Sequence, residues 1–182
     1  METEPVRKKS STDWRLIIYE KLKNNLKNLN SDVQLVTPEY DNYIKGDTIE
    51  NSKSNLCTLV KVIDKLEKCT SEYCCILGTE LANFKYLHIS NKCNDCINET
   101  DIYKVLDCKT CSSIKNKMKD CYSKMTDIIH KSRDCINFYI WIAKLCQKYP
   151  KFRHVAISTN DVKKVGYNYL QKMMCKDEAL WT

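Results

Sequence analysis

The stretch Cys135-Ile-Asn-Phe-Tyr-Ile-Trp-Ile-Ala-Lys-Leu-Cys146 is the most apolar part of this 182-residue chain. Only Asn137 and Lys144 interrupt its apolar residues, and Pro150 follows four residues after Cys146. The run has about twelve residues, whereas a membrane-spanning helix needs roughly twenty. We therefore predict a core helix, with Asp134 as a candidate N-cap and Pro150 marking its end.

Helical spacing of apolar residues extends over much of the remaining chain and predicts five further helices. Candidate caps stand before them at Ser11 or Thr12, Ser71, Ser112 or Ser113, and Thr159 or Asn160. The last helix should span residues 160–174. The predicted core residues are, helix by helix, Trp14, Ile17, Ile18, Leu22, Leu26 and Leu29; Leu56, Leu59, Val60, Ile63 and Leu66; Tyr73, Cys74, Leu77, Leu81 and Phe84; Ile114, Met118, Cys121, Tyr122, Met125 and Ile129; and Val162, Val165, Tyr169, Leu170 and Met173.

The predicted fold is all-α, a bundle of about six helices with a cysteine-rich insert, because three glycines and three prolines are too few for a turn-rich β-sheet protein. Residues 31–54 contain Pro38, Gly46 and many Asn and Asp, which is typical of a long connection, with a short extended piece at 33–36. We expect one compact domain in four parts: a flexible arm (1–11), N-terminal helices with that connection (12–87), the insert (88–112) and C-terminal helices (113–182).

Two cysteine pairs, Cys93-Asn-Asp-Cys96 and Cys108-Lys-Thr-Cys111, lie where helical periodicity is weakest. Two residues between cysteines let a tight turn direct both sulfurs to one centre, and two such turns complete a tetrahedral thiolate shell around Zn²⁺. The eleven residues between the pairs are enough to bring the chain back to the same ion. We predict a structural zinc site with Cys93, Cys96, Cys108 and Cys111 as its ligands.

In spacing, the two pairs resemble the treble-clef and zinc-ribbon classes of structural zinc sites, in which the second pair often opens a helix. The resemblance covers about twenty residues, and neither pair is followed by the glycine common in such turns. Two other interpretations stay open: buried free thiols, or an oxidised chain with a disulfide framework that includes Cys74 and Cys75. The remaining cysteines are expected mostly in the core, with Cys75 and Cys121 the best additional ligand candidates, and His88 is expected at the surface.

The formal net charge of +7 comes from residues 101–155, which hold twelve Lys and Arg against five Asp. Such an excess attracts phosphate backbones or acidic partners, although a merely solvated helix face would look the same. Tyrosines among these cations, such as Tyr122, would suit stacking on single-stranded bases. We expect an electropositive face beside the metal, formed by Lys109, Lys115, Lys117, Lys119 and Lys124.

No catalytic or nucleotide-binding motif is found, and the glycines at 46, 78 and 166 are too far apart for a phosphate-binding loop. The N-terminal residues lack the apolar segment of a signal peptide, which favours a reducing compartment, the cytoplasm or nucleus. We therefore expect a non-enzymatic intracellular binding or regulatory module that contacts a protein or nucleic acid. The alternatives are a disulfide-bonded surface or exported protein used in adhesion or host interaction, and a metal-free helical viral or regulatory adaptor.

Overall fold

The structure is a computed structural model that describes residues 13–29, 43–64, 71–89, 91–112, 115–155 and 157–182. Over these ranges the chain forms ten α-helices and two short 3-10 helices and has no strand, which confirms the predicted all-α fold. The α-helices are α1 (Trp14–Leu29), α2 (Ile49–Asp64), α3 (Ser71–Leu87), α4 (Ile102–Asp107), α5 (Lys109–Ser112), α6 (Lys115–Ile129), α7 (Arg133–Lys148), α8 (Thr159–Val165), α9 (Tyr167–Lys176) and α10 (Glu178–Trp181). The 3-10 helices span Asn94–Cys96 and Pro150–His154.

Helices α3 and α7 pack against each other at the centre of the molecule. Gly78 of α3 lies against the backbone of α7, where a Cβ atom would overlap the carbonyl group of Tyr139, so the close approach requires glycine. The N-cap of α7 is Ser132 rather than the predicted Asp134, because the Ser132 hydroxyl accepts a hydrogen bond from the backbone N–H of Cys135 (3.3 Å). The helix ends before Pro150, as predicted.

The central pair separates two apolar cores. The larger core joins α1, α3, α7 and the C-terminal helices, and the smaller joins α2, α3, α6 and α7. In the smaller core, Cys121, Met125 and Ile129 form the buried stripe of α6. This stripe packs α6 against α2, α3 and α7.

The prediction that Trp14 and Ile17 are core residues is wrong, since their side chains are 49% and 55% exposed. Leu22 and Leu26 are buried as predicted, and Tyr19 completes the buried stripe of α1. Tyr19 is buried because it has partners at the far end of the chain: its hydroxyl donates to the Asp177 carboxylate (2.7 Å) and accepts from the indole N–H of Trp181 (3.0 Å). Trp181 is fully buried against α1.

The predicted connection 31–54 is too long at its C-terminal end, because α2 already begins at Ile49. The buried carboxylate of Glu80 on α3 holds residues 43–55 in place. It accepts hydrogen bonds from the side chains of Tyr43, Ser52, Asn55 and Asn83 and from the backbone N–H of Gly46. The arm 1–11 and the extended piece at 33–36 lie outside the described residues.

One predicted helix is divided, and another corresponds to two described helices. The helix predicted over 160–174 is split into α8 and α9 by Gly166, whose φ of 86° lies in the left-handed region, and its N-cap is Ser158. The helix predicted from Ser112 or Ser113 corresponds to α5 and α6, and residues 113 and 114 between them lie outside the described residues. The break at Gly166 and the short helices α4, α5 and α10 account for the helix count above six in the described residues.

Candidate metal centre

The structure brings together the sulfurs of Cys93, Cys96, Cys108 and Cys111, all of which lie within 4.8 Å of one another. The Cys93 sulfur is 3.7 Å from that of Cys108 and 3.5 Å from that of Cys111. A tetrahedral shell with Zn–S distances of about 2.3 Å has S···S edges of about 3.8 Å. A disulfide bond would require about 2.05 Å. The four sulfurs therefore have the spacing of a metal shell.

Both cysteine pairs adopt the same local form, an extended first cysteine followed by a helical turn that carries the second. Cys93 (φ −68°, ψ 166°) precedes the 3-10 helix Asn94–Cys96, and the Cys96 N–H donates to the Cys93 carbonyl (3.0 Å). Cys108 (φ −68°, ψ 118°) precedes α5, which contains Cys111. The two-residue gap thus brings the paired sulfurs to the same side of each turn.

The eleven-residue spacer brings the second pair back to the first by forming α4. Asp101 caps this helix, because its carboxylate accepts a hydrogen bond from the Tyr103 N–H (2.9 Å). Ile102 and Tyr103 join the larger core beside α3 and α7, while Val105 faces the cysteines. The cysteine cluster is therefore attached to the central helix pair through α4.

Backbone N–H groups point at the sulfurs. A hydrogen bond from the Cys111 N–H, followed by one with the Cys93 side chain, lowers the pKa of the Cys108 thiol to about 7. Burial, followed by hydrogen bonds with the neighbouring thiols, raises the pKa of Cys96. The Cys93 N–H donates to the Cys111 sulfur (3.3 Å). Such donors stabilise negative charge on sulfur, the form in which cysteine binds metal.

The other cysteines that the structure describes lie elsewhere in the fold. Cys75 and Cys121, the additional ligand candidates, are buried in the cores on α3 and α6, and Cys175 is exposed on α9. His88 is half-buried, with its Nδ1 atom 2.7 Å from the Phe84 carbonyl oxygen. In the part of the chain that the structure describes, only the four predicted cysteines form a group of metal-binding geometry.

The predicted basic residues do not all share one surface. Lys109 is exposed on α5, whereas Lys119 and Lys124 are exposed on α6 at positions about 140° apart around the helix. Lys124 also forms an ion pair with Asp120 (3.2 Å). The side chains of Lys115 and Lys117 lie outside the described part of the structure.

Ion pairs neutralise several further cations of the basic segment. Lys104 pairs with Glu99, Lys131 with Asp64 and Lys144 with Asp107.

Among the described residues, no helix is long and apolar enough to cross a bilayer.

Comparisons with known proteins find no matching family, no similar curated protein and no similar solved structure. The functional assignment therefore depends on the cysteine cluster and on the surfaces around it.

Proposed function

We propose that this protein is a non-enzymatic binding module in which one structural Zn²⁺ ion, held by Cys93, Cys96, Cys108 and Cys111, orders the segment 91–112. The observation that carries the proposal is the convergence of four sulfurs within 4.8 Å from two turns of the same form. Four thiolates in tetrahedral arrangement select zinc or iron, and zinc is the usual ion where two cysteine pairs act as a structural clamp.

The ligand set favours a structural role over a catalytic one. A catalytic zinc ion keeps one position open for water or substrate, whereas four cysteine ligands fill a tetrahedral shell. Cys96 and Cys111 are also buried, which limits access of a substrate to the ion. The ion would therefore serve the fold, and the protein would act through its surface.

The surface points to a charged partner. The charge excess of residues 101–155 lies on the elements from α4, which joins the two cysteine pairs, to the 3-10 helix at Pro150–His154. Lys109 and Lys119 are exposed there. An acidic protein or a nucleic acid is the partner class that such a surface attracts.

The test is elemental analysis combined with thiol titration on the same purified full-length protein. We expect one zinc ion per chain and close to twelve reactive thiols after the ion has been removed under denaturing conditions. Few reactive thiols would overturn the proposal in favour of the disulfide-bonded surface protein, and a full thiol count without metal would favour the metal-free adaptor. Stoichiometric iron would overturn the choice of zinc.

A pair of single variants tests the ligand assignment. Cys108→Ser should lose the zinc ion, whereas Cys175→Ser, which changes an exposed cysteine outside the cluster, should retain it. Equal zinc content in both variants would exclude Cys108 as a ligand.

A further inference from the structure

A groove of about 280 Å³ lies beside α6 and the start of α7. It is lined by Lys119, Tyr122, Ser123, Thr126, Asp127 and Arg133. Five of these residues follow the spacing i, i+3, i+4, i+7 and i+8 along α6, so they occupy one face of that helix. Arg133 is the first residue of α7 and closes the groove from the other side.

The groove contains hydrogen-bond donors that have no acceptor. Within the described residues, the ammonium of Lys119 and the hydroxyls of Ser123 and Thr126 form no hydrogen bond or ion pair, and the only contact of the Arg133 guanidinium is with a ring. Two cationic groups and two hydroxyls facing one small space match the oxygens of a phosphate group.

Tyr122 fixes the position of Arg133. The guanidinium carbon lies 4.3 Å from the centroid of the Tyr122 ring, a cation–π contact that restrains the planar donor group. The Lys85 ammonium lies 4.9 Å from the same centroid and donates to the Tyr122 hydroxyl (3.0 Å). Because two cations already contact this ring, Tyr122 is a poor platform for base stacking, and the groove favours the phosphate over the base.

The charges around the groove favour an anion. Lys119 and Arg133 contribute two positive charges to the lining, against the single carboxylate of Asp127. The positive end of the α7 dipole lies at Arg133 and acts in the same direction.

We propose that the groove between α6 and α7 binds a backbone phosphate of a nucleic acid, with Lys119, Arg133, Ser123 and Thr126 as the contact residues. The inference rests on the proposed binding function and names its partner. It does not depend on the zinc ion, because α6 is fixed by its own buried stripe of Cys121, Met125 and Ile129.

The experiment measures binding of zinc-loaded, full-length protein to a fluorescent oligothymidylate of about 15 nucleotides, close to the upper site size of single-strand-binding folds. The series covers about 50 to 200 mM salt, the range in which phosphate contacts weaken steeply. The double variant Lys119→Gln, Arg133→Gln removes both cations. Lys172→Gln, Lys176→Gln is the matched control, because it makes the same charge change at two exposed residues of α9.

We expect the groove variant to bind about tenfold more weakly at the lowest salt, as for the loss of one charge-assisted phosphate contact. The slope of log affinity against log salt should fall by about 0.7, the value for one phosphate of a single strand. The control should keep the affinity within about twofold, because its lysines lie away from the groove. Arg133→Lys tests the planar donor group, and it should recover only part of the lost affinity.

Four results would overturn the inference. The first is that the wild type does not bind the oligonucleotide at low salt, and the second is that the groove variant and the control weaken binding equally. The third is that polyglutamate binds as tightly as the oligonucleotide, and the fourth is that inorganic phosphate does so, as measured by amide chemical shifts. The third would indicate an acidic protein partner, and the fourth a small-anion site. Zinc content is measured on the same samples, so a one-zinc protein that fails to bind the oligonucleotide refutes the groove and leaves the zinc proposal standing.

Discussion

Removal of zinc should unfold the segment 91–112 while the central helices remain folded. Ordering its 22 residues costs about 22 kcal/mol at ~1 kcal/mol of backbone entropy each. Besides the ligands Cys96 and Cys111, its buried apolar side chains are Ile102, Tyr103 and Val105, which return about 6 kcal/mol at ~2 kcal/mol each. The remaining ~16 kcal/mol lies at the upper end of the roughly 10–16 kcal/mol typical of structural zinc. Without the ion, burial is too small to keep the segment ordered.

Hydrogen exchange measured by mass spectrometry checks this prediction on the full-length protein, with and without a chelator. The amides of α4 should lose protection when zinc is removed, whereas those of α7 should keep theirs, because α7 packs on α3 through the two apolar cores. Cys108→Ser should reproduce the effect of the chelator, and Cys175→Ser should not. If α4 stays protected after elemental analysis has shown that the metal is gone, the argument that the ion orders this segment is refuted.

Three further predictions concern the bundle itself. Trp181→Ala should lower the free energy of unfolding in urea by about 3–5 kcal/mol because the side chain is fully buried, whereas Trp14→Ala should cost less than about 1 kcal/mol; equal costs would contradict the described packing of α1. Glu80→Gln should cost about 1–3 kcal/mol in the same assay, because the new amide group turns donors toward donors; an unchanged urea midpoint would exclude the described network. The hydrogen bond from Tyr19, and then the charge of Lys23, lowers the pKa of Asp177. The Asp177 carboxylate therefore stabilises the fold above its unfolded pKa of about 3.9, and this stability is lost as the pH falls through the pKa of the folded state. Asp177→Asn should therefore flatten the dependence of the urea midpoint on pH below about pH 4, and an unchanged pH profile would show that the contact contributes no stability.

The sequence predicts a helix correctly where that helix packs a single apolar stripe against one of the cores. The run at 135–146 is such a case, and α7 occupies it with its end before Pro150 as expected. The sequence also predicts which four cysteines converge, because the two-residue gaps already restrict each pair to one local form.

Prediction fails where burial depends on a distant polar partner. Tyr19 is buried and Trp14 is not, since the Tyr19 hydroxyl meets Asp177 and Trp181 of the C-terminal helices. Glu80 is buried for the same kind of reason, because its hydrogen-bond donors come from residues 43–55. A prediction from hydrophobic periodicity does not consider such hydrogen-bond partners, so it assigns the more apolar side chain, Trp14, to the core.

The predicted basic face is the clearest example of what a count of charges leaves out. Lys119 and Lys124 are five residues apart in sequence, but they point about 140° apart, and Lys124 is paired with Asp120. The second cation that lines the groove with Lys119 is Arg133, which lies at the start of the next helix, α7. A cationic site formed in this way depends on how α6 and α7 pack, and the sequence alone does not give that packing.

The groove and the metal centre should therefore be separable in experiment. Chelation is expected to release α4, but α6 remains attached to the smaller core by Cys121, Met125 and Ile129. The chelated protein should retain its affinity for the oligothymidylate within about threefold, while the variant that lacks Lys119 and Arg133 loses about tenfold with zinc still bound. If chelation weakens binding as much as the double variant does, the contact surface includes the zinc-ordered segment around Lys109, and the assignment to α6 and α7 alone is wrong.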